Sequence, residues 1–464
     1  MLGSVASASN LGQFDTRSMA MGGAGVAGAN VANSAAFNPA LIASNTNKRS
    51  FSLLFPAFRA DGFNENEFID GIEQAENIVN ANGTGLNDLL DGFGTLAFIE
   101  GGDPRCASTT GCYTDPNMSN VAERAIELTD QLTELNKSSL LVNANAGIAV
   151  QFGKALPMAL IVDAGVIGSF GLKAANSDTN ELNSYFETMQ NGEISLDDRQ
   201  TLIDLDLITL DDNNDIEFNR GSDEGSELNS LLEVIGATYG EVGISLADSF
   251  HYRGKQLAVG ITPKIVTVKA VKYHQSVEEN GAELSDVDDN ALSRTDFNAD
   301  VGITFQPLDT QKLQVGVAVK NLFSRSYNLN KSDIEIELEQ TARNGIGAAA
   351  LAAQEDLDAF AFRQRIKIEP QITAGLSYQL PFINFLADID LNAAEVLGRE
   401  SQYISLGTEF DVRLVKLQLG YRTSIGGNDE DDALSAGFSL GILGVAAIYS
   451  GDQVGVAAQV GFSF

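Results

Sequence analysis

The sequence predicts an all-β fold: a transmembrane antiparallel β-barrel of about 14 strands, with an N-terminal lumenal hatch and long, partly helical, acidic extracellular loops. Three observations predict it. Apolar residues alternate with period two over most of the chain. Long and short connections alternate between the periodic segments. The net charge is confined to the long connections.

Taken in order, residues 1–8 contain Ala6-Ser7-Ala8, a run of the signal-peptidase type, and read as a signal-peptide remnant. Residues 9–48 read as a hatch or plug. From Thr16 to Ala43 the chain is small, apolar and Gly-rich, with no charge after Arg17. It has too much Gly for a free helix and lacks strand alternation, so it suits packing in a confined space. The barrel with its insertions then spans 49–464. Strands are read at 49–59, 139–152, 157–171, 235–250, 256–273, 295–306, 312–322, 364–379, 384–393, 402–411, 413–423, 433–441, 444–450 and 453–464. In the run from Val415, Leu417, Leu419 and Tyr421 oppose Lys416, Gln418, Gly420 and Arg422. One face of each strand is thus apolar and the other polar or Gly.

A soluble sandwich turns such an apolar face inward and a membrane barrel turns it outward. The connections decide between them. Those at 60–138, 172–234, 274–294 and 323–363 are long, and the ones between are short turns such as Leu308-Asp309-Thr310-Gln311. Insertions gathered at one rim belong to an outer-membrane barrel. Segments 61–135, 176–233 and 275–293 hold 37 acidic against four basic residues, which is all but one unit of the net charge of −34. The framework is therefore nearly neutral. An acidic balance excludes a nucleic-acid partner. No apolar run is long enough for a membrane-spanning helix. Cys106 and Cys112, in a polar loop, read as a disulfide formed in an oxidising compartment. Trp is absent, and Tyr residues near the strand ends take the place of an aromatic girdle.

Two stretches carry a resemblance. The run Arg17-Ser-Met-Ala-Met-Gly-Gly-Ala-Gly-Val-Ala27, followed by Asn38-Pro39-Ala40, resembles the N-terminus of the TraF-like outer-membrane barrels (the conjugal transfer TraF family). Gly260-Ile-Thr-Pro-Lys264 and Lys320-Asn321-Leu322 are similar to the same family, which is related to the FadL-type hydrophobic-compound transporters. The resemblance implies a hatch built on Gly22, Gly23, Asn38, Pro39 and Ala40. It also implies passive uptake of fatty-acid-like compounds, with lateral exit through a defect in the third strand, where Gly165, Gly168 and Gly171 lie. The terminal Phe462 and Phe464 resemble the insertion signal of bacterial outer-membrane proteins.

Inside the insertions, Val121, Ala125, Leu128, Leu132 and Leu135 recur at helical spacing, as do Phe68, Ile72, Ala75 and Val79. These stripes form either a cap packed on itself or a capture groove. Asp211, Asn213, Asp215 and Glu217 offer oxygen ligands suited to Ca2+, but Ile216 and Ser222 stand where an EF-hand needs Gly and Glu. Apart from such screening Ca2+, no cofactor is expected. His251 and His274 read as lying on opposite rims, His274 facing outward, with no Ser-His-acid grouping, so no enzyme is predicted. The expected partners are outer-membrane lipid and lipopolysaccharide, the barrel-assembly machinery, a hydrophobic small molecule and a protein at the acidic loops. The alternative to uptake is a non-transporting scaffold in secretion, conjugation or surface assembly.

Overall fold

The computed structural model describes residues 14–29, 32–44, 51–65, 67–81, 85, 89, 96–100, 103–104, 106, 110–152, 156–204, 208–211, 214–218, 230–276, 291–308, 312–345, 347–397, 399–412, 415–425 and 432–463. The signal-peptide remnant 1–8, Phe464 and most of the third acidic insertion lie outside them.

Fourteen antiparallel strands close into one barrel. They are β1 (Phe51–Glu65), β2 (Ser139–Phe152), β3 (Met158–Lys173), β4 (Leu231–Tyr252), β5 (Lys255–Ser276), β6 (Leu292–Phe305) and β7 (Leu313–Lys320). Then follow β8 (Gln371–Gln379), β9 (Ile383–Asp390), β10 (Tyr403–Val412), β11 (Val415–Ser424), β12 (Ala433–Leu440), β13 (Leu443–Tyr449) and β14 (Gln453–Ser463). Neighbours in sequence are neighbours in space, and β14 pairs with β1 to close the ring. The alternation is inside-out relative to a soluble sandwich: Leu419 is 55% exposed on the outer wall while the adjacent Gln418 is 2% exposed in the lumen. Closure gives each of the fourteen strands a hydrogen-bonded neighbour on both sides, which is what lets strands cross lipid. No described helix is long and apolar enough to cross a membrane.

The wall has two heights. β4 and β5 run for 22 residues each, while β7 and β9 run for 8. Four of the short strands do not end at the low rim. β7 continues, past Asn321 in a left-handed turn (φ 52°), into Arg325–Asn328. Arg365–Ile368 leads through Glu369-Pro370 into β8, β9 leads into Ala394–Val396, and Arg399–Ser401 leads through Gln402 into β10. These extensions pair in the order of their parent strands. The crease is stitched by Asn392, whose Oδ1 accepts from Ile372 N (2.8 Å) and whose Nδ2 donates to Pro370 O (2.9 Å). Beyond it the sheet leans into the lumen. Tyr327, Leu329, Ile366, Ile368 and Val396 pack on the inner face of the tall strands, against Phe63, Leu141, Ile167, Val266 and Val268. The predicted single strand 364–379 is therefore two strands on either side of Pro370, whose missing N–H breaks the ladder.

The first two acidic insertions form a cap with its own core. Tyr113, Met118, Val121 and Ala125 pack with Phe186, Met189, Ile194 and Leu202. The stripe of the helix Met118–Leu135 is buried at Val121, Ala125 and Leu135. In the helix Phe68–Asn80 the buried face is Gly71 and Ile78 instead, and Ile72 is exposed. The reason is close approach: a Cβ on Gly71 would stand 2.7 Å from Leu135 Cδ2. Cys106 and Cys112 are joined by a disulfide, with Cα atoms 5.8 Å apart.

Candidate functional site

The site is the N-terminal segment seated across the lumen. Asp15 caps the short helix Thr16–Ala20, its Oδ1 accepting from Ser18 N (3.1 Å), and its Oδ2 accepts from Asn33 Nδ2 (3.0 Å). Arg17 points at the wall: Nε donates to Glu409 Oε2 (2.9 Å) on β10, and Nη1 to Gly28 O (2.7 Å). The chain then turns at Gly22 and Gly23, with φ of 67° and 95°. Only Gly adopts this geometry without strain, and here it has a second reason. A Cβ on Gly22 would lie 2.6 Å from Tyr421 O of the barrel.

Two wall side chains grip the backbone beyond. Ser435 Oγ accepts from Gly22 N and donates to Ala20 O, both at 3.0 Å. Asp388 Oδ2, on β9, accepts from Gly25 N (2.7 Å) and Val26 N (2.9 Å). Asn38 caps the 3-10 turn Pro39–Ala43, accepting from Ala40 N (3.0 Å), with Pro39 at the first helical position. The turn packs on β4, β5 and β6.

The seat is made of wall glycines. A Cβ on Gly407 would stand 2.7 Å from Met21 Cβ, on Gly316 2.7 Å from Val26 O, and on Gly444 2.5 Å from Thr16 Oγ1. The Gly positions read from the sequence as one face of each strand are thus the bed in which the hatch backbone lies. Leu386, which interrupts the polar set of its strand, also faces inward and packs on Met21 and Ala24.

On the long-loop side of the hatch lies a buried ionic layer. Lys264 Nζ stands 3.0 Å from Glu241 Oε2 and 2.9 Å from Asp300 Oδ1. Arg59 pairs with Asp61 (2.7 Å), and Tyr239 Oη donates to Asp163 Oδ2 (3.2 Å). A cavity of about 30 Å³, polar and roomy enough for ordered water, is bounded by Gly22, Gly23, Lys320, Asp388, Asp390 and Arg422. On the other side of the hatch a cavity of about 530 Å³ fills the short-turn mouth. Its lining includes Arg17, Ala27, Gly28, Ser34, Glu409 and Gln418. Hatch and folded-in sheet together occupy the lumen at two levels.

Of the expected hatch residues, Gly22 and Gly23 turn against Tyr421 of β11, Asn38 reaches Ile303 O and Val317 O, and Pro39 and Ala40 lie over Gly260 of β5. The structure corrects the expectation for the third strand. β3 keeps an unbroken register with β2 from Ala159 to Phe170 and with β4 from Met158 to Lys173. Gly165, Gly168 and Gly171 therefore mark no bulge. Gly165 instead makes room for the Tyr239 ring, since a Cβ there would stand 2.8 Å from Cε1. The register slips instead in β1, between Leu54 and Ala57. Phe462 is on β14, opposite Leu53.

In the acidic loop, Asp211 Oδ1 accepts from Asp215 N (2.9 Å) and Asp215 Oδ1 from Phe98 N (3.1 Å). Asn213 and the side chain of Glu217 lie outside the described residues. His274 does not face outward. It is buried, with Nδ1 2.6 Å from Ser332 Oγ and Nε2 3.1 Å from Glu233 Oε2. Sequence reading could not place Ser332 there, 58 residues away. Neither cavity reaches the group, and Ser332 Oγ caps the helix Asp333–Asn344, accepting from Glu335 N (3.2 Å). It acts as a tether, beside the buried Lys272–Glu335 ion pair, that ties this helix to β5.

Residues 35–391 match the family model described as "F plasmid transfer operon, TraF, protein". No curated protein matches the sequence. Among solved structures, the Ralstonia pickettii toluene transporter TbuX is similar at 12% identity, covering 98% of this chain and 99% of that one, with a TM-score of 0.42. The P. putida toluene transporter TodX is similar at 11% identity, with the same coverages and TM-score. A Pseudomonas aeruginosa FadL homologue is similar at 11% identity, covering 96% and 95%, with a TM-score of 0.40.

Proposed function

The chain belongs to the F plasmid transfer operon TraF protein family, and from that premise we propose that it is a bacterial outer-membrane barrel admitting small hydrophobic, fatty-acid-like compounds through a hatch-gated lumen. The observation that carries this reading is the seat of the hatch. The segment lies on glycines and is held at discrete points, by Glu409 on Arg17, Asp388 on Gly25 and Val26, and Ser435 on Gly22. Such a plug slides or lifts without dismantling the wall. The apolar outer wall faces lipid and lipopolysaccharide, and insertion runs through the barrel-assembly machinery. Catalysis and a resident cofactor form no part of the proposal. Ca2+ at the 211–217 loop enters only as charge screening, so chelation should leave uptake unchanged. The test is uptake of a labelled long-chain fatty acid and a labelled alkane by a deletion strain and its complemented parent. Uptake restored by the gene supports the reading; equal uptake in both strains sinks it.

A specific observation favours a second reading. The outer half of the lumen holds a packed apolar layer, and the first two acidic insertions share one core. A closed barrel carrying a rigid acidic cap suits a scaffold for a basic protein partner in conjugation, secretion or surface assembly. Recovery of a stoichiometric partner from native membranes, with uptake unaffected by deletion, would favour it.

A further inference from the structure

The outer face of the tall wall changes chemistry abruptly as it rises. Between β5 and β6, Ile265 is directly opposed to Phe297, Thr267 to Thr295 and Lys269 to Ser293. These pairs share the outer face, because Val266 and Val268, which alternate with them, are packed inside the lumen. Ile265 and Phe297 are 56% and 52% exposed and continue the apolar wall of Ile261 and Ile303 below. Above them come two hydroxyls, Thr267 and Thr295, 2.9 Å apart, and then Lys269. The step from apolar to polar marks the top of the lipid-facing band, on the long-loop side of the barrel.

Two arginines gather at that level. β6 and β7 are in register only from Val301↔Val319 to Phe305↔Val315. Above that, the chain leaving β7 lies along the edge of β6, with Leu322 N donating to Ala299 O (2.8 Å). Asn298 holds Phe323 there, accepting from its N and donating to its O, both at 3.0 Å. The Phe323 ring stands 6.0 Å from that of Phe297. Arg325 lies 5.6 Å from the centre of the Phe323 ring and donates Nη2 to Phe297 O (2.8 Å). Arg294 donates Nη1 to Ser326 O (3.4 Å), and its Nε stands 2.9 Å from Asp296 Oδ2. Asp296 is shared, since Arg325 Nε stands 3.7 Å from its Oδ1. One carboxylate thus organises two guanidinium groups and offsets the charge of one. The Arg294 side chain stays 58% exposed. With Lys269 the patch is cationic, on the side of the barrel whose insertions hold almost all of the negative charge.

We propose that this patch binds a phosphorylated glycolipid of the outer leaflet, of the lipid A type. Its acyl chains lie on Ile265, Phe297 and Phe323, its sugar meets Thr267 and Thr295, and Lys269, Arg294 and Arg325 take its phosphate. Guanidinium groups present paired N–H donors that match phosphate oxygens. Two features select a lipid over an acidic protein. The patch is continuous with the lipid-facing wall, and it offers apolar, hydroxyl and cationic groups in the vertical order in which a glycolipid presents chains and headgroup. The site is on the outside of the wall and is independent of the uptake reading.

The test uses the full-length protein in detergent and reads retained lipid by native mass spectrometry. Bis-phosphorylated lipid A should stay bound as a single copy per barrel. Removal of its phosphates, or Arg294→Gln with Lys269→Gln, should weaken retention roughly tenfold or more, the equivalent of one charge-assisted hydrogen bond. Arg325→Lys should weaken it less. The heat-modifiable band on gels checks that each variant is folded. Arg253→Gln, which removes an arginine stacked on Tyr252 at the opposite rim (5.3 Å), should leave retention as in the parent. Unchanged retention in the double variant overturns the site, as does an equal loss in Arg253→Gln. Equal retention of phosphatidylglycerol overturns the glycolipid assignment. Displacement by millimolar inorganic phosphate reduces the patch to an anion site and also overturns it.

Discussion

Arg17 pairs the hatch with a wall carboxylate, and its replacement by Ala tests whether the hatch is latched or merely packed. The guanidinium makes two charge-assisted bonds, to Glu409 Oε2 at 2.9 Å and Gly28 O at 2.7 Å, with both partner side chains at most 10% exposed. Deleting one member of a buried pair ordinarily costs about 3–5 kcal/mol, because the other charge stays buried. Here the cost is smaller. Gln418 Nε2 already donates to Glu409 at 3.2 Å, Lys416 Nζ stands 3.7 Å away, and the short-turn cavity admits water. About 2–3 kcal/mol remains, which is roughly a 30- to 150-fold shift in the seating equilibrium at tenfold per 1.4 kcal/mol. The assay is labelling of a cysteine at Ala27, which is buried in the seated hatch and lines the cavity, by a water-soluble maleimide. Arg17→Ala should raise the labelling rate by that factor. Arg17→Lys should be intermediate, since an ammonium does not span both acceptors. Arg17→Ala with Glu409→Gln should recover most of the loss. Labelling of Arg17→Ala at the parental rate would refute the latch.

Other outcomes follow from the same structure. Gly407→Val drives a side chain into Met21 and should unseat the hatch by about 1–3 kcal/mol, seen as faster labelling at Ala27 with the heat-modifiable barrel band intact on gels. Glu335→Gln leaves the Lys272 ammonium buried and should cost about 3–5 kcal/mol in docking of the helix Asp333–Asn344; protease cleavage within 333–360 reports it, and Lys272→Met with Glu335→Leu should restore protection. Tyr113→Ala removes a fully buried ring from the cap core, at about 3–5 kcal/mol, and should make the cap protease-sensitive while the barrel stays folded. Burial and the nearby Asp296 carboxylate push the Tyr327 phenol up to about 12. Its contribution to sheet docking is complete below about pH 10, the ordinary value, and is lost as pH rises through about 12. Phenolate absorbance against folded-in sheet protection should show this, and Tyr327→Phe should abolish it.

Period-two alternation made the wall legible, because one exposed face and one lumenal face repeat along every strand. The stretch 139–152 is read to the residue. What alternation could not show is height. Pro370 sits inside a periodic run, and only its missing N–H signals that the wall folds there. The hatch was legible as a small-residue segment, but its seat was not. Gly316 and Gly407 look like any lumenal glycine until the chain is closed around Val26 and Met21. The third-strand glycines misled for the mirror reason: Gly165 yields to a side chain, Tyr239, that arrives 74 residues later. The ionic contacts were out of reach. Lys264 and Asp300, or Arg17 and Glu409, meet only through topology, as do His274 and Ser332.

The hatch stands at the start of the chain, while Glu409, Gly420, Ser435 and Gly444, against which it rests, are in β10–β13 near the end. The folded-in sheet occupies one side of the lumen. The segment therefore has to be inside before β14 zips onto β1; its 3-10 turn can settle early on β4–β6, but the helix Thr16–Ala20 and the turn at Gly22 find their wall contacts only when β10–β13 arrive. Until then an apolar stretch waits beside an open sheet with two raw edges. Ring closure and burial of residues 14–29 and 32–44 thus become one event, so a chain truncated before β13 should be recognised by quality-control proteases through that segment.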